Sequence, residues 1–226
     1  MLDSGKQDRL PGGFKVTQPR TFHQLGILVL DGSGSMKEGQ SSVKISLAQS
    51  VSNAVRNTFS RFKESAYVNN FSFAVVYYDD AAKVEVDITD AKQLNDNRAY
   101  DPTTGMGGTT SIAAGLKEAK ILSDKFLAVQ TEGSIKRSVV VVVLSDGLDM
   151  TQSETASIAN TLKSNPSITI TSVFFETLGG NPDEMQEAAK FLKGLCSDPI
   201  DGFTKTSDPE KIRTFFIASV SNKKKI

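Results

Sequence analysis

The chain has little with which to do covalent or redox chemistry. With a single cysteine, Cys196, it cannot form an intrachain disulfide, which favours a reducing compartment. With His23 as the only histidine it cannot assemble a zinc site of Cys and His ligands. Charge of one sign is missing too: 26 basic residues balance 26 acidic ones, against the basic surplus expected of a general nucleic-acid binder. No run approaches the ~20 apolar residues of a membrane span. The longest, Val139 to Leu144, has the length of a strand. Met1 to Gln24 lacks an apolar signal core. These absences lead us to expect a cytoplasmic protein with no membrane and no nucleic-acid partner.

What is present is concentrated at Leu25 to Ser35, Leu-Gly-Ile-Leu-Val-Leu-Asp-Gly-Ser-Gly-Ser. An unbroken apolar run reads as a strand buried on both faces, as in a parallel sheet under helices. It stops at an acid, and two hydroxyls follow at alternate positions. In open α/β sheets, sites lie just beyond the carboxyl ends of the strands. Asp31, Ser33 and Ser35 stand there, and they offer only hard oxygen donors, suited to Mg²⁺ or a related cation.

The 226 residues fit one large domain. Residues 1–22 read as a polar, Gly/Pro-punctuated arm, 23–222 as the domain, and 223–226 as a short basic tail (Lys223-Lys224-Lys225); His23, at the junction, is counted with the arm and taken as incidental. Ser41 or Ser42 is placed to cap a helix running to about Lys63, with Leu47, Val51, Val55, Phe59 and Phe62 at helical spacing. Asn70 to Tyr78 reads as a strand. After a turn at Asp79-Asp80, Lys83 to Ile88 alternates as a one-face-wet, antiparallel edge strand. Thr89 to Gly108 is a long polar loop, and loops of that length inside a compact domain are often functional. It delivers Thr109-Thr110-Ser111 to a helix running to about Val129.

Ser138 to Ser145 is the most strongly β-forming run, with Asp146 at its end. Thr151-Gln152-Ser153-Glu154 has the form of a capping box opening a helix to about Lys163. Ser167 to Glu176 is the next strand. Asn181-Pro182 starts a helix to about Gly194, with Cys196 just beyond it; Phe203 to Lys205 is a short strand, and Asp208-Pro209 starts the last helix. The alternation predicts an α/β fold: a doubly wound, mainly parallel open sheet with one antiparallel edge strand.

Three clusters of oxygen donors fall at strand or loop ends: Asp31/Ser33/Ser35, Thr109/Thr110/Ser111 and Ser145/Asp146. If the two acid-terminated strands are neighbours, two unpaired carboxylates share a crevice and repel each other. A divalent cation between them removes the repulsion. Asp79, Asp80, Asp101 and Asp149 read as solvated loop acids, with Asp149 near enough in sequence to Asp146 to shape the rim.

These residues resemble the von Willebrand factor A domain family. Asp31-Gly32-Ser33-Gly34-Ser35 matches its D-x-S-x-S motif, Gly108-Thr109-Thr110-Ser111-Ile112 is similar to its second motif, and Leu144-Ser145-Asp146-Gly147 to its third. The resemblance covers about Leu25 to Val220 and implies a metal-ion-dependent adhesion site (MIDAS). On that resemblance, Asp31, Ser33, Ser35, Thr110 and Asp146 hold Mg²⁺ (or Mn²⁺ or Ca²⁺), directly or through water. Gly32, Gly34, Thr109, Gly147 and Asp149 form the rim. The spacing of the second motif assigns the metal role to Thr110; Thr109 aligns only if Gly-Gly-Thr governs.

The implied activity is non-enzymatic: an Asp or Glu of a partner protein fills the ion's open position. The short form is similar to bacterial intracellular proteins of the tellurite-resistance type. Two other readings are weighed beside it. One is a scaffold domain whose ion is dispensable. The other is a Mg²⁺-dependent phosphohydrolase; the haloacid dehalogenase pattern needs a second Asp where Ser33 stands. A Ser-His-Asp hydrolase lacks a usable base, the segment at Ser33 lacks the final Gly of G-x-S-x-G, and no phosphate-binding G-x-x-x-x-G-K-[ST] occurs.

Overall fold

Leu25 to Leu30 has no polar side chain to keep wet, and it becomes the middle of a six-stranded sheet. The computed structural model describes residues 20, 22–38, 45–129, 135–177 and 180–221. The arm as far as residue 19 together with residue 21, the candidate caps Ser41 and Ser42, and the basic tail lie outside these residues.

The strands are β1 (Phe22–Asp31), β2 (Phe71–Tyr78), β3 (Ala82–Asp90), β4 (Lys136–Ser145), β5 (Ile168–Phe175) and β6 (Phe203–Thr206). The helices between and after them are α1 (Leu47–Lys63), α2 (Ile112–Leu127), α3 (Gln152–Lys163), α4 (Pro182–Leu195) and α5 (Pro209–Ser221). The sheet order is β3-β2-β1-β4-β5-β6, parallel except for the β2–β3 hairpin at one edge. This is the expected doubly wound fold with its antiparallel edge strand. Among the described residues, no helix is long and apolar enough to cross a membrane.

Alternation along β1 divides the core. Leu28 and Leu30 pack on one face with Phe59 of α1 and Ile212, Phe216 and Val220 of α5. Leu25, Ile27 and Val29 pack on the other with Leu116 of α2, Leu162 of α3 and Leu192 of α4. Each fully buried aliphatic side chain of this kind contributes about 1.5–3 kcal/mol. Gly26 sits where α5 presses closest: a Cβ there would lie 2.9 Å from Phe73 and from Val220.

β1 has β2 on one side and β4 on the other, so the chain reverses its winding direction between β1 and β4. Crevices open at such switch points. The register sets Asp31 beside Tyr78 and Leu30 beside Leu144. Both acid-terminated strands therefore end at the same height, side by side.

Several boundaries differ from the sequence reading. The capping serine of α1 is Ser46, whose hydroxyl accepts the Gln49 N–H at 3.1 Å while Gln49 Oε1 accepts the Ser46 N–H at 3.1 Å. That is a capping box. Thr151 precedes α3 but makes no side-chain cap; its hydroxyl donates to Asp149 Oδ1 at 2.9 Å instead. Thr89 and Asp90 extend β3, so the long loop begins after them. The helix expected to reach Val129 ends at Leu127.

His23 is a second correction: it lies in β1, 5% exposed, and is no part of a loose arm. Its Nε2 lies 2.9 Å from Ser72 Oγ, which donates to Asp90 Oδ1 at 2.8 Å. Arg20 approaches Nδ1 at 3.3 Å. A donor at Nδ1 requires the neutral ring. Burial, then the charges of Arg20 and Arg137, push His23 down to about 4, against the opposing pull of Asp90. A folded-state value below the unfolded 6.5 means stability that is complete above pH 6.5 and lost as pH falls towards 4. The loss attributable to His23 is at most about 3 kcal/mol. Denaturant titrations of wild type and His23→Gln should show it as a gap that narrows from pH 7 to pH 4. A constant gap would contradict a buried neutral imidazole.

Candidate metal centre

Just past β1, the Pro102 segment packs directly against the chain, and Gly32 leaves the room for it. A Cβ on Gly32 would lie 2.4 Å from the Pro102 carbonyl, and the Gly32 N–H donates to the Tyr78 carbonyl at 2.7 Å. Beyond it, the Ser33 N–H donates to Asp31 Oδ1 at 2.9 Å. From β4, the Ser145 hydroxyl donates to Asp31 Oδ2 at 2.7 Å, and the Tyr78 hydroxyl stands 3.4 Å from the same oxygen. Asp31 is fully buried.

Ser33 Oγ and Ser35 Oγ lie 3.1 Å apart, and Ser35 donates to Asp146 Oδ1 at 2.9 Å. With the Ser35 proton on Asp146, Ser33 is the donor to Ser35. A directed chain of hydroxyls thus runs from the first motif to the acid of the third. The other Asp146 oxygen, Oδ2, is buried and has no hydrogen-bond partner. Burial first, and the charge of Asp31 second, push Asp146 up to about 7, with the Ser35 hydroxyl opposing. Burial likewise raises Asp31, against hydrogen bonds from Ser145, Ser33 and Tyr78.

Thr110 completes the group. It is buried, and a Cβ built on Gly147 would lie 3.8 Å from its Oγ1, so the hydroxyl faces the turn after Asp146. Its carbonyl accepts the Met150 N–H at 2.9 Å. Thr109 points elsewhere: its N–H donates to Asp80 Oδ1 at 3.0 Å and its hydroxyl donates to the same oxygen. The structure thus brings Asp31, Ser33, Ser35, Thr110 and Asp146 together and turns Thr109 away. Gly34 is tied to the second motif through its N–H, which donates to the Gly108 carbonyl at 3.2 Å.

Asp149, read as a solvated or rim acid, is 3% exposed and structural. Its Oδ1 accepts the Ile112 N–H at 3.0 Å, the first of α2, as well as the N–H and hydroxyl of Thr151. Asp79 and Asp80 are not free loop acids either, since both hold the backbone that leads to Thr110. Asp101 accepts from the N–H and hydroxyl of Thr103. Cys196 is buried against Ser172 and the Leu192 and Gly202 carbonyls.

Among the described residues, no group of three or more His, Cys, Asp and Glu side chains could hold a metal. Asp31, Ser33, Ser35, Thr110 and Asp146 offer two carboxylates and three hydroxyls, a hard-oxygen set without nitrogen or sulfur. Such a set fits a hard divalent cation. An orphaned buried carboxylate oxygen beside a second buried acid is the electrostatic deficit such an ion relieves.

A model of the von Willebrand factor type A domain matches residues 27–216. Curated protein sequences give no match. Among solved structures, the pilus adhesin SpaC from Lactobacillus rhamnosus GG aligns with TM-score 0.72 at 12% identity over 91% of this chain and 31% of that one. A von Willebrand factor type A protein from Catenulispora acidiphila aligns with TM-score 0.60 at 17% identity, over 88% of this chain and 43% of that one. Proximal thread matrix protein 1 from the mussel byssus, solved with a zinc-occupied MIDAS motif, aligns with TM-score 0.56 at 17% identity over 88% of this chain and 45% of that one. The chain thus spans less than half the length of each of these proteins, and at such identities the likeness is one of fold. The match over residues 27–216 decides the family: the chain belongs to the von Willebrand factor type A domain family.

Proposed function

We propose that the domain is a non-enzymatic protein-binding module in which Asp31, Ser33, Ser35, Thr110 and Asp146 hold a divalent cation, Mg²⁺ before Mn²⁺ or Ca²⁺. The observation that carries this is Asp146 Oδ2, buried without a hydrogen-bond partner at the end of the Ser33–Ser35–Asp146 chain. A bound cation supplies Lewis acidity towards one carboxylate oxygen of a partner's Asp or Glu. The chain's own residues supply the rest. Asp31 is held rigid by Ser145 and the Ser33 N–H, and Ser33 and Ser35 present lone pairs to the crevice. Thr110, whose hydroxyl lies beside the turn after Asp146, would complete the donor set together with Asp146. A charge-assisted contact of this kind in a partly dry interface gives both orientation and affinity.

The pilus adhesin and byssus matrix protein among the structural neighbours favour a binding role over a catalytic one. Serine at position 33 also suits ion holding better than phosphoryl transfer, which needs an acid there. A cytoplasmic location, supported by cysteine usage, and kinship with bacterial proteins of the tellurite-resistance type belong to the same proposal.

Calorimetric titration with Mg²⁺ and Mn²⁺ tests the centre. Wild type should bind one equivalent, and Asp31→Ala should bind none. Pull-down on immobilised domain, with Mg²⁺ and then with chelator, tests the bridge: capture that survives chelator and Asp31→Ala would leave the scaffold reading in its place.

A further inference from the structure

Of the motif groups, Thr110 alone comes from a long loop, and loops are poor platforms for ligand geometry unless something fixes them. The loop before Thr110 is fixed by the β2–β3 turn. Asp79 Oδ2 accepts the N–H groups of Gly107 at 3.0 Å and Gly108 at 3.1 Å. Asp80 Oδ1 accepts the Thr109 N–H at 3.0 Å and its hydroxyl. The Asp79 carbonyl accepts the Ser111 N–H at 3.0 Å. Four backbone donors around Thr110 thus end on two consecutive acids of another element.

Gly107 has φ +145°, which a side chain rarely adopts. A Cβ on Gly108 would lie 2.2 Å from Asp80 Oδ2. The two glycines let the loop lie against the acids closely enough to be held.

We propose that Asp79 and Asp80 are positioning residues for the metal centre: they hold the 107–111 backbone so that the Thr110 hydroxyl faces the turn after Asp146, and they set the cation affinity without touching the ion. The proposal rests on the metal-binding reading above. Residues that orient metal ligands without touching the metal typically change affinity 10–100-fold when removed.

The test uses Mn²⁺ affinity, with the thermal midpoint in chelator as the control for folding. Asp79→Ala and Asp80→Ala should each weaken Mn²⁺ binding about tenfold or more. Asp80 lies at an exposed hairpin tip, so its variant should fold even if Asp79→Ala does not. Asp80→Asn keeps the one oxygen that accepts from Thr109 and loses only the charge, so it should retain most of the affinity. Asp79→Asn keeps an acceptor for Gly107 and Gly108 but gives up the one for the Ala81 N–H, so it should fall between wild type and Asp79→Ala. In a Thr110→Ala background, Asp80→Ala should add less than twofold, because both changes act through one hydroxyl.

Asparagine variants as weak as the alanine ones would overturn positioning in favour of plain charge attraction. So would full additivity with Thr110→Ala, or unchanged affinity in both alanine variants. The parent reading is tested separately by wild type against Asp31→Ala. No Mn²⁺ binding by wild type sinks both ideas, whereas binding abolished by Asp31→Ala but untouched by Asp79 and Asp80 sinks this one alone.

Discussion

Asp146→Asn is expected to make the metal-free domain more stable at pH 8 while abolishing cation binding. Without an ion, Asp146 is 5% exposed, faces the buried Asp31, and leaves Oδ2 without a partner. Its pKa rises from 3.8 to about 7, first from burial and then from the Asp31 charge. The sign follows from proton uptake. Between pH 4 and 7 the folded chain keeps a proton on Asp146 that the unfolded chain has released, so stability falls as pH rises through that window. It levels off once both states are ionised. Taken at face value the shift corresponds to about 4 kcal/mol. Relaxation and water entry reduce the expected penalty to roughly 1–3 kcal/mol.

Asparagine keeps the shape, still accepts from Ser35 and carries no charge. The variant's advantage should therefore be absent near pH 4, grow to pH 7 and then hold, raising the thermal midpoint by about 3–10 °C at pH 8. Saturating Mg²⁺ should reverse the order. Wild type then gains about 2.7 kcal/mol at one hundred times its dissociation constant, and the variant gains nothing. Thermal scans at pH 5 and pH 8, with chelator and with Mg²⁺, check all four corners. A variant less stable than wild type in chelator at pH 8 would remove the repulsion between Asp31 and Asp146 as the basis of the site.

The same pair shows what the amino-acid sequence could and could not convey. β1 and β4 are legible because both are unbroken apolar runs, and only a central parallel strand has to be dry on both faces. Each run ends in an acid, so the two carboxylates fall into one crevice as soon as the strands are neighbours. The motif spacing prefers Thr110 to Thr109, and the structure turns Thr109 away, since Asp80 accepts its N–H and its hydroxyl.

Asp79, Asp80 and Asp149 were not legible as structural residues. Nothing local distinguishes a solvated loop acid from one whose carboxylate accepts backbone donors of a distant loop. One signal was available: a polar stretch as long as Thr89 to Gly108, ending in Gly107-Gly108, must bury donors somewhere, and its acceptors must come from neighbouring turns. His23 reads as part of the arm because His23 and Gln24, at the start of β1, are polar. They are dry only through side-chain bonding, of His23 to Ser72 and of Gln24 to the Val220 carbonyl. The capping patterns show the same limit. Ser46 with Gln49 forms the box. Thr151 with Glu154 has the same spelling and does not: Thr151 sits at φ −122°, ψ 31°, outside the extended backbone that Ser46 adopts at the start of α1.

Asp149→Ala is the substitution expected to cost the fold most for the smallest change in volume. The first residue of α2, Ile112, is fully buried, and Ser111 before it makes no side-chain cap. The N–H of Ile112 instead reaches across the crevice to Asp149 Oδ1, which also accepts the N–H and hydroxyl of Thr151. One carboxylate oxygen therefore serves the starts of both α2 and α3, where a negative charge also opposes the positive helix ends. Alanine leaves the Ile112 donor buried and unpaired, and each such loss costs about 1–3 kcal/mol. The expected total is roughly 2–4 kcal/mol, or a fall of about 5–15 °C in thermal midpoint. Asp149→Asn can still accept at Oδ1 and should recover more than half of it. Met150, the next residue, donates to the Thr110 carbonyl, so cation affinity should fall together with stability in the alanine variant. Thermal midpoints in chelator and Mn²⁺ titrations of the two variants measure both effects. An Asp149→Ala domain within about 1 kcal/mol of wild type would mean that water at the crevice replaces the carboxylate. The start of α2, and Thr110 with it, would then be held by the β2–β3 turn and by the backbone bonds of Gly34 to Gly108 and of Met150 to Thr110.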